Sequence, residues 1–260
     1  MRLESHGGEA RLITPKTGAD HTERLRTFAE KRLAALADER LCGYILKKDS
    51  PSCGMERVRV YPNHGSPNRS GRGLFAAALM RRFPSLPVEE EGRLNDPRLR
   101  ENFVTRVFAY QRWRQMAEEP LTRSALTGFH ARHKFLLVAH SQSGTQRLGR
   151  LLAHPERFPD EDSLAAAYLE GFTGVMRQTP TRRGHTNVLQ HLAGYVSTPL
   201  EPDEREELTE MIDQYRRGLL PLIVPVTLIR HYVRKFKVPY LLDQAYLSPH
   251  PHELMLLNQL

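Results

Sequence analysis

Cysteine is nearly absent from this chain: 260 residues hold two, Cys42 and Cys53. Two thiols cannot build the disulfide framework of a small secreted domain, so a reducing cytoplasm is the expected setting. No apolar run approaches the roughly 18 residues of a membrane span, and the opening MRLESHGGEARL lacks the apolar centre of a signal peptide. Neither CxxC nor HExxH occurs, which removes the commonest zinc signatures. There is no fixed-period repeat and no low-complexity tract. Negative charge is outweighed, with a net charge of +8 and a pI of about 9.7. The excess lies mostly in the first 119 residues, interspersed with acids and without a basic tail. Such a balance permits an anionic or nucleic-acid partner without demanding one. What is present, 40% hydrophobic and 26% charged residues, is the make-up of a soluble chain with room for one large domain or two.

The first 118 residues alternate strand and helix signals. Short strands are expected around Arg2-Leu3 and Arg11-Leu12-Ile13, separated by His6-Gly7-Gly8. Asp20 and Glu23 suggest a capping box, followed by a helix with Leu25, Phe28, Ala29, Leu33 and Leu36 on one face. Tyr44-Ile45-Leu46 and Val58–Tyr61 read as strands. A Gly/Pro/Asn-rich surface loop then runs to Gly73, with a turn cluster at His64-Gly65-Ser66-Pro67-Asn68. Leu74, Phe75, Ala78 and Leu79 mark a helix ending before Pro84. Leu86-Pro87-Val88 is a brief strand that empties into Glu89-Glu90-Glu91, a run equally compatible with a solvated loop and with a functional strand end. Asp96 with Pro97 starts another helix. This alternation points to an α/β domain on a parallel sheet, with functional loops at the carboxyl ends of its strands. From about Leu121 strand signals stop. Helical patterns over 123–140, 145–153, 161–178, 185–196, 203–220 and 222–236 predict an all-α domain over 121–260, with the boundary near Glu118-Glu119-Pro120.

Two features could carry chemistry. The first is the loop Ser50-Pro51-Ser52-Cys53-Gly54, where a buried strand opens into small residues around a thiol, with Lys47 and Lys48 just before it. Nearby lysines favour the thiolate, which ligates metals or attacks electrophiles; a buried cysteine in a turn is the plainer reading. The second is histidine. Nine of twelve lie in residues 130–260. His130, His133 and His140 share the helical arc of Leu126, Phe129, Leu136 and Leu137, and His185 and His191 flank Val188, Leu192 and Tyr195. Histidines on a core stripe are either satisfied by internal hydrogen bonds or line a pocket. Asn187, Gln190, Arg182, Arg183 and Arg230 could complete an anion-binding pocket in the same domain.

Several strings together resemble a known family: GYILKKDSPSCGMERVRVY, GRGLFAAAL, LPVEEEGRLNDPRLRENF, FHARHKFLLVAH, NVLQHLAGY and LIVPVTLIRHY. They are similar, in order and over essentially the whole chain, to the two-domain YbgA-like family. In that family a domain of the TudS (thiouracil desulfidase) type precedes a helical domain of unknown function. The resemblance implies an incomplete Rossmann-like sheet followed by helices. It also implies a [4Fe-4S] cluster held by three cysteines, whose open iron takes sulfur from a thiolated pyrimidine, free or within RNA, without net redox change. Cys53 matches one cluster ligand; Ser50 and Ser52 match the loop hydroxyls that would meet substrate or cluster sulfur. Family members open with a cysteine-bearing VSACLLG-like string and a second, CPE-type segment, and neither is among these residues. The expectation is therefore an N-terminally truncated chain, from a start assigned too late or from loss of cluster chemistry. Its desulfuration would be impaired and apolar sheet edges left exposed. The alternative reading is a non-enzymatic nucleotide- or RNA-binding module that uses His130, His133, His140, His185, Asn187 and His191.

Overall fold

β1 (Arg2–His6) turns through Gly7 and Gly8, both with positive φ, into β2 (Glu9–Ile13), giving an antiparallel hairpin with Leu3 opposite Leu12. The computed structural model describes residues 1–62, 65–254 and 256–257. Within it two compact units are distinguished, residues 1–103 and 104–260.

In the first unit the hairpin continues into α1 (Thr22–Asp38), β3 (Tyr44–Leu46), β4 (Val58–Tyr61), β5 (Asn68–Gly71), α2 (Leu74–Arg82) and β6 (Val88–Glu90). The strands form two sheets. One is mixed, in the order β2-β1-β4-β5, with β1 and β4 parallel and β5 antiparallel to β4. The other is the parallel pair β3-β6, in which Leu46 faces Glu90. Leu3, Leu12, Val58 and Val60 make the small core of the mixed sheet. The α/β expectation holds, and parallel pairing survives in β1-β4 and β3-β6. The four-stranded sheet is mixed rather than parallel because Gly7-Gly8 closes β1 and β2 into an antiparallel hairpin and β5 pairs antiparallel with β4. Ile45 and Phe28 are each more than half exposed, large apolar side chains beside the short parallel pair. β5 was not expected: Asn68, Arg69, Ser70 and Gly71 carry no strand pattern, and they pair because β4 offers an open edge. His64 of the expected turn cluster lies outside the described residues. The capping box expected of Asp20 and Glu23 does not form: the N-cap of α1 is His21, without a side-chain cap, and Asp20 stands one residue earlier, its Oδ1 accepting from Thr22 N at 2.8 Å.

α3 (Pro97–Met116) starts where Asp96 Oδ1 accepts from the N–H groups of Arg98 and Leu99, as Asp-Pro predicts. The second unit is helical: α4 (Arg123–His140), α5 (Gln142–Ala153), α6 (Glu161–Met176), α7 (Arg182–Val196), α8 (Pro202–Arg217), α9 (Ile223–Lys235) and the single turn α10 (Pro239–Leu242). Thr122, Ser141, Asp160 and Thr181 cap the starts of α4 to α7 through their side-chain oxygens. α8 ends at Gly218, whose φ of +84° suits glycine. α4 packs on α5, α6 and α7, and α7 packs in turn on α8 and α9. Trp113, Phe129, Tyr168 and Phe172 stack or meet edge-to-face at 5.1–6.3 Å in its core. None of the described helices is long and apolar enough to cross a membrane.

The Cys53 loop and the start of α2 approach closely. A Cβ on Gly73 would overlap the Ser52 carbonyl, although the φ of −60° there is open to any residue. Gly73→Ala is therefore expected to destabilise by about 1–3 kcal/mol through overpacking alone. Urea unfolding measures this, and an unchanged midpoint would show that the loop yields.

Candidate functional site

β3 ends at Leu46, and three residues later Asp49 takes a left-handed φ of 54°, turning the chain into Ser50–Gly54. The loop closes on itself. Ser50 Oγ accepts from the N–H groups of Ser52 (3.3 Å) and Cys53 (3.2 Å), and Gly54 N donates to the Ser50 carbonyl at 2.8 Å. With Ser50 Oγ serving two amides, its own hydroxyl hydrogen is available for Ser52 Oγ, 3.0 Å away. The Ser52 hydroxyl lies 3.3 Å from Cys53 Sγ. The result is a short relay, Ser50 to Ser52 to Cys53, that delivers an O–H donor to the sulfur. All three side chains are half-buried.

Two neighbours hold this loop. The N-terminus of α2 has no side-chain cap; instead the N–H groups of Leu74, Phe75 and Ala76 donate to the carbonyls of Pro51 and Ser52, and Gly73 N donates to the Gly54 carbonyl. The orphan donors of the helix thus fix the loop backbone. From the other side Glu90 Oε1 accepts from Met55 N at 2.7 Å. Glu89 and Glu90 are 5% and 4% exposed, so this part of the acidic run is not a solvated loop. Glu89 is stabilised by Arg93, whose Nε donates at 2.7 Å. Burial alone would lower the Arg93 pKa, but its bond to Glu89 and the charges of Glu89, Glu56 and Glu90 outweigh that and raise it. Glu91 is exposed and pairs with Lys47 at 2.6 Å, so the Lys47 ammonium is directed at Glu91. The Lys48 stem lies against Gly92. Of the two readings open for the acidic run, the strand end holds for Glu89 and Glu90; Arg93, four residues beyond Glu89, signals the partner of Glu89, whereas no residue pattern marks the Glu90 bond to Met55 N.

The resemblance implies three cysteines around a cluster, and the donor set here does not fit one. Cys42 Sγ is directed at the Arg40 carbonyl at 3.6 Å. Cys53 is the second and last thiol in the sequence. Among the described residues no group of three or more His, Cys, Asp or Glu side chains is placed to hold a metal ion.

In the helical unit the histidines do not converge. His130 Nδ1 meets the Tyr168 hydroxyl at 3.0 Å, His133 Nδ1 donates to the Phe129 carbonyl at 2.8 Å, and His140 Nδ1 donates to the Gln178 carbonyl at 2.6 Å. His185 Nδ1 meets the Tyr246 hydroxyl at 3.0 Å, and His191 is exposed on α7. His133 also stacks on Phe129, 4.0 Å between ring centres. Asn187 stands apart from them, lining a cavity with Arg182, Arg183, Thr186, Gln190 and Arg216. Arg230, on α9, is not part of that lining.

Burial pushes His133 down to about 3, against the opposing bond to Phe129 and with help from the Arg112 charge; burial likewise pushes His140 down to about 4, against its bond to Gln178. Both rings protonate near 6.5 in an unfolded chain. Between those values the unfolded state binds more protons, so stability is full above about pH 6.5 and falls as the pH drops toward 4. The slope expected is roughly 1.4 kcal/mol per histidine per pH unit. Urea midpoints from about pH 7 to 4.5 should fall steadily, and less so in His140→Gln. A flat profile would mean that these rings are not held neutral.

Residues 1–91 match the family model for 2-thiouracil desulfurase, and residues 134–251 match that for a protein of unknown function, DUF1722. The uncharacterised protein YbgA of Escherichia coli (strain K12) is 32% identical over 163 residues, which are 63% of this chain and 96% of that protein. An alignment of 163 residues is longer than the first unit and therefore includes part of the helical one. No solved structure matches the chain.

Proposed function

The chain belongs to the YbgA family, with a 2-thiouracil desulfurase segment ahead of its helical unit, and from this we propose that the Cys53 loop is a site for the thiocarbonyl sulfur of a thiolated pyrimidine, free or within RNA. The observation that carries the reading is the relay from Ser50 through Ser52 to Cys53, with contacts of 3.0 and 3.3 Å. A thiocarbonyl sulfur is a soft, weak acceptor, and hydroxyl donors beside a half-buried thiol suit it. Ser50 orders the backbone and orients Ser52; the Ser52 hydroxyl, within hydrogen-bond range of Cys53 Sγ, turns its single O–H to the incoming sulfur when the base binds; Cys53 supplies a soft, polarisable neighbour.

Desulfuration in the TudS manner, by resemblance, draws on a [4Fe-4S] cluster, and the two thiols in these residues are too few for a three-cysteine site. Cys53 alone would contribute one ligand, the other two coming from outside these 260 residues. The reading for this chain by itself is therefore binding of the thiolated base with little or no sulfur removal.

Isothermal titration of 2-thiouracil, with uracil as the comparison, tests it. The thio compound is expected to bind the tighter of the two. Ser52→Ala should weaken that preference about tenfold, equivalent to about 1.4 kcal/mol. Sulfide release should stay at background. Equal affinity for uracil and 2-thiouracil would remove the proposed role of the loop, and sulfide released by the unaided chain would overturn the one-ligand reading.

A further inference from the structure

The helical unit has a second built feature, independent of the Cys53 loop. α7 and the last turn of α8 enclose an open cavity of about 540 Å³, lined by Arg182, Arg183, Thr186, Asn187, Gln190 and Arg216. Five of the six come from one face of α7 at spacings of three and four residues, so a single helix presents them together. The lining holds three guanidinium groups and no acidic or aromatic side chain.

The three arginines are not equivalent. Arg216 is neutralised by Asp213, which accepts from its Nε and Nη2 at 2.9 and 2.6 Å. Arg182 is held in place without a carboxylate: it donates through Nη1 to the Tyr215 carbonyl at 3.4 Å, and its guanidinium lies 5.7 Å from the Tyr215 ring centre. Gly218 makes this possible, because a Cβ there would collide with Arg182 Nη1. Arg183 is exposed and makes no ion pair among the described residues. Two positive charges therefore face the cavity uncompensated, one of them positioned by the end of α8. Thr186 directs its hydroxyl at the Arg182 carbonyl, 2.9 Å away, which leaves the Asn187 and Gln190 amides as the neutral groups able to hydrogen-bond a ligand. The neighbouring hollow on α8, lined by Pro202, Arg205, Glu206, Thr209, Glu210 and Asp213, is acidic. Anions are thereby directed to the α7 side.

We propose that this cavity binds a mononucleotide through its phosphate, with Arg182 and Arg183 on the phosphate oxygens and Asn187 and Gln190 on the sugar or base. Planar guanidinium forks match phosphate geometry, and the volume is that of a small-molecule site. Recognition of a long single strand would call for aromatic platforms on which successive bases stack, and the lining has none.

The test titrates the full chain at low ionic strength with inorganic phosphate, uridine, uridine 5′-monophosphate, adenosine 5′-monophosphate and a twelve-nucleotide RNA. The monophosphates are expected to bind and uridine not to. Arg183→Gln, an exposed position whose change should leave the thermal midpoint unaltered, is expected to weaken nucleotide binding at least tenfold. Asn187→Ala should weaken the nucleotides while leaving inorganic phosphate unchanged. Nucleotide affinity that survives Arg183→Gln, or no nucleotide binding at all, would overturn the proposal. So would binding of the RNA without the mononucleotides, which would assign the cavity to a nucleic-acid backbone. None of these outcomes depends on 2-thiouracil, so the two readings stand or fall separately.

Discussion

The backbone contact between Ser50–Gly54 and the start of α2 is the constraint on which the N-terminal unit depends. A helix leaves its first N–H groups without partners, and the residue ahead of α2 is Gly73, which has no side chain to supply one. The carbonyls of Pro51, Ser52 and Gly54 take that role. The price is a tight approach that admits no Cβ at Gly73. What results is a loop whose Pro51 and Ser52 carbonyls are occupied by α2, whose Gly54 carbonyl takes Gly73 N, and whose Ser52, Cys53 and Gly54 N–H groups are bonded within the loop. The Ser52 hydroxyl and Cys53 sulfur remain as the groups directed to a ligand. Glu90 completes the arrangement from β6 by gripping Met55 N. The loop is thus built as a rigid holder for one thiol.

Much of this was legible in the residues. The helices of the second unit follow from apolar spacing, while the caps Thr122, Ser141, Asp160 and Thr181 emerge only from the structure. The Cys53 loop is apparent as a strand end followed by small residues. Strand pairing is a different matter. Nothing in the local pattern says that β1 sits between β2 and β4, or that β3 pairs with β6 in a separate sheet, because register and partner are decided by tertiary packing. β5 is legible only through its partner. Glu89 and Glu90 fit a solvated loop or a strand end equally well until Arg93 and Met55 N are seen as their partners.

The histidines divide in the same way. The place of His130, His133 and His140 on the core stripe of α4 and of His185 on α7 was visible from spacing. His133 takes the Phe129 carbonyl one turn back in its own helix, whereas the partners of His130, His140 and His185 (Tyr168, Gln178 and Tyr246) come from distant parts of the chain. Separate partners give separate structural roles. The polar residues that do gather are Arg182, Arg183, Asn187 and Gln190, consecutive faces of one helix and so readable together. Arg216 joins them only because α8 packs on α7.

Iron and acid-labile sulfide per chain after anaerobic reconstitution, measured beside Cys53→Ala, test the central claim most directly: the Cys53 loop presents one thiolate, and no other group among the described residues is placed to complete a cluster. The account predicts no stoichiometric cluster in either protein and no difference between their visible spectra. A near-stoichiometric four-iron cluster that disappears in Cys53→Ala would contradict it, since donors not recognised in this chain would then be completing the site.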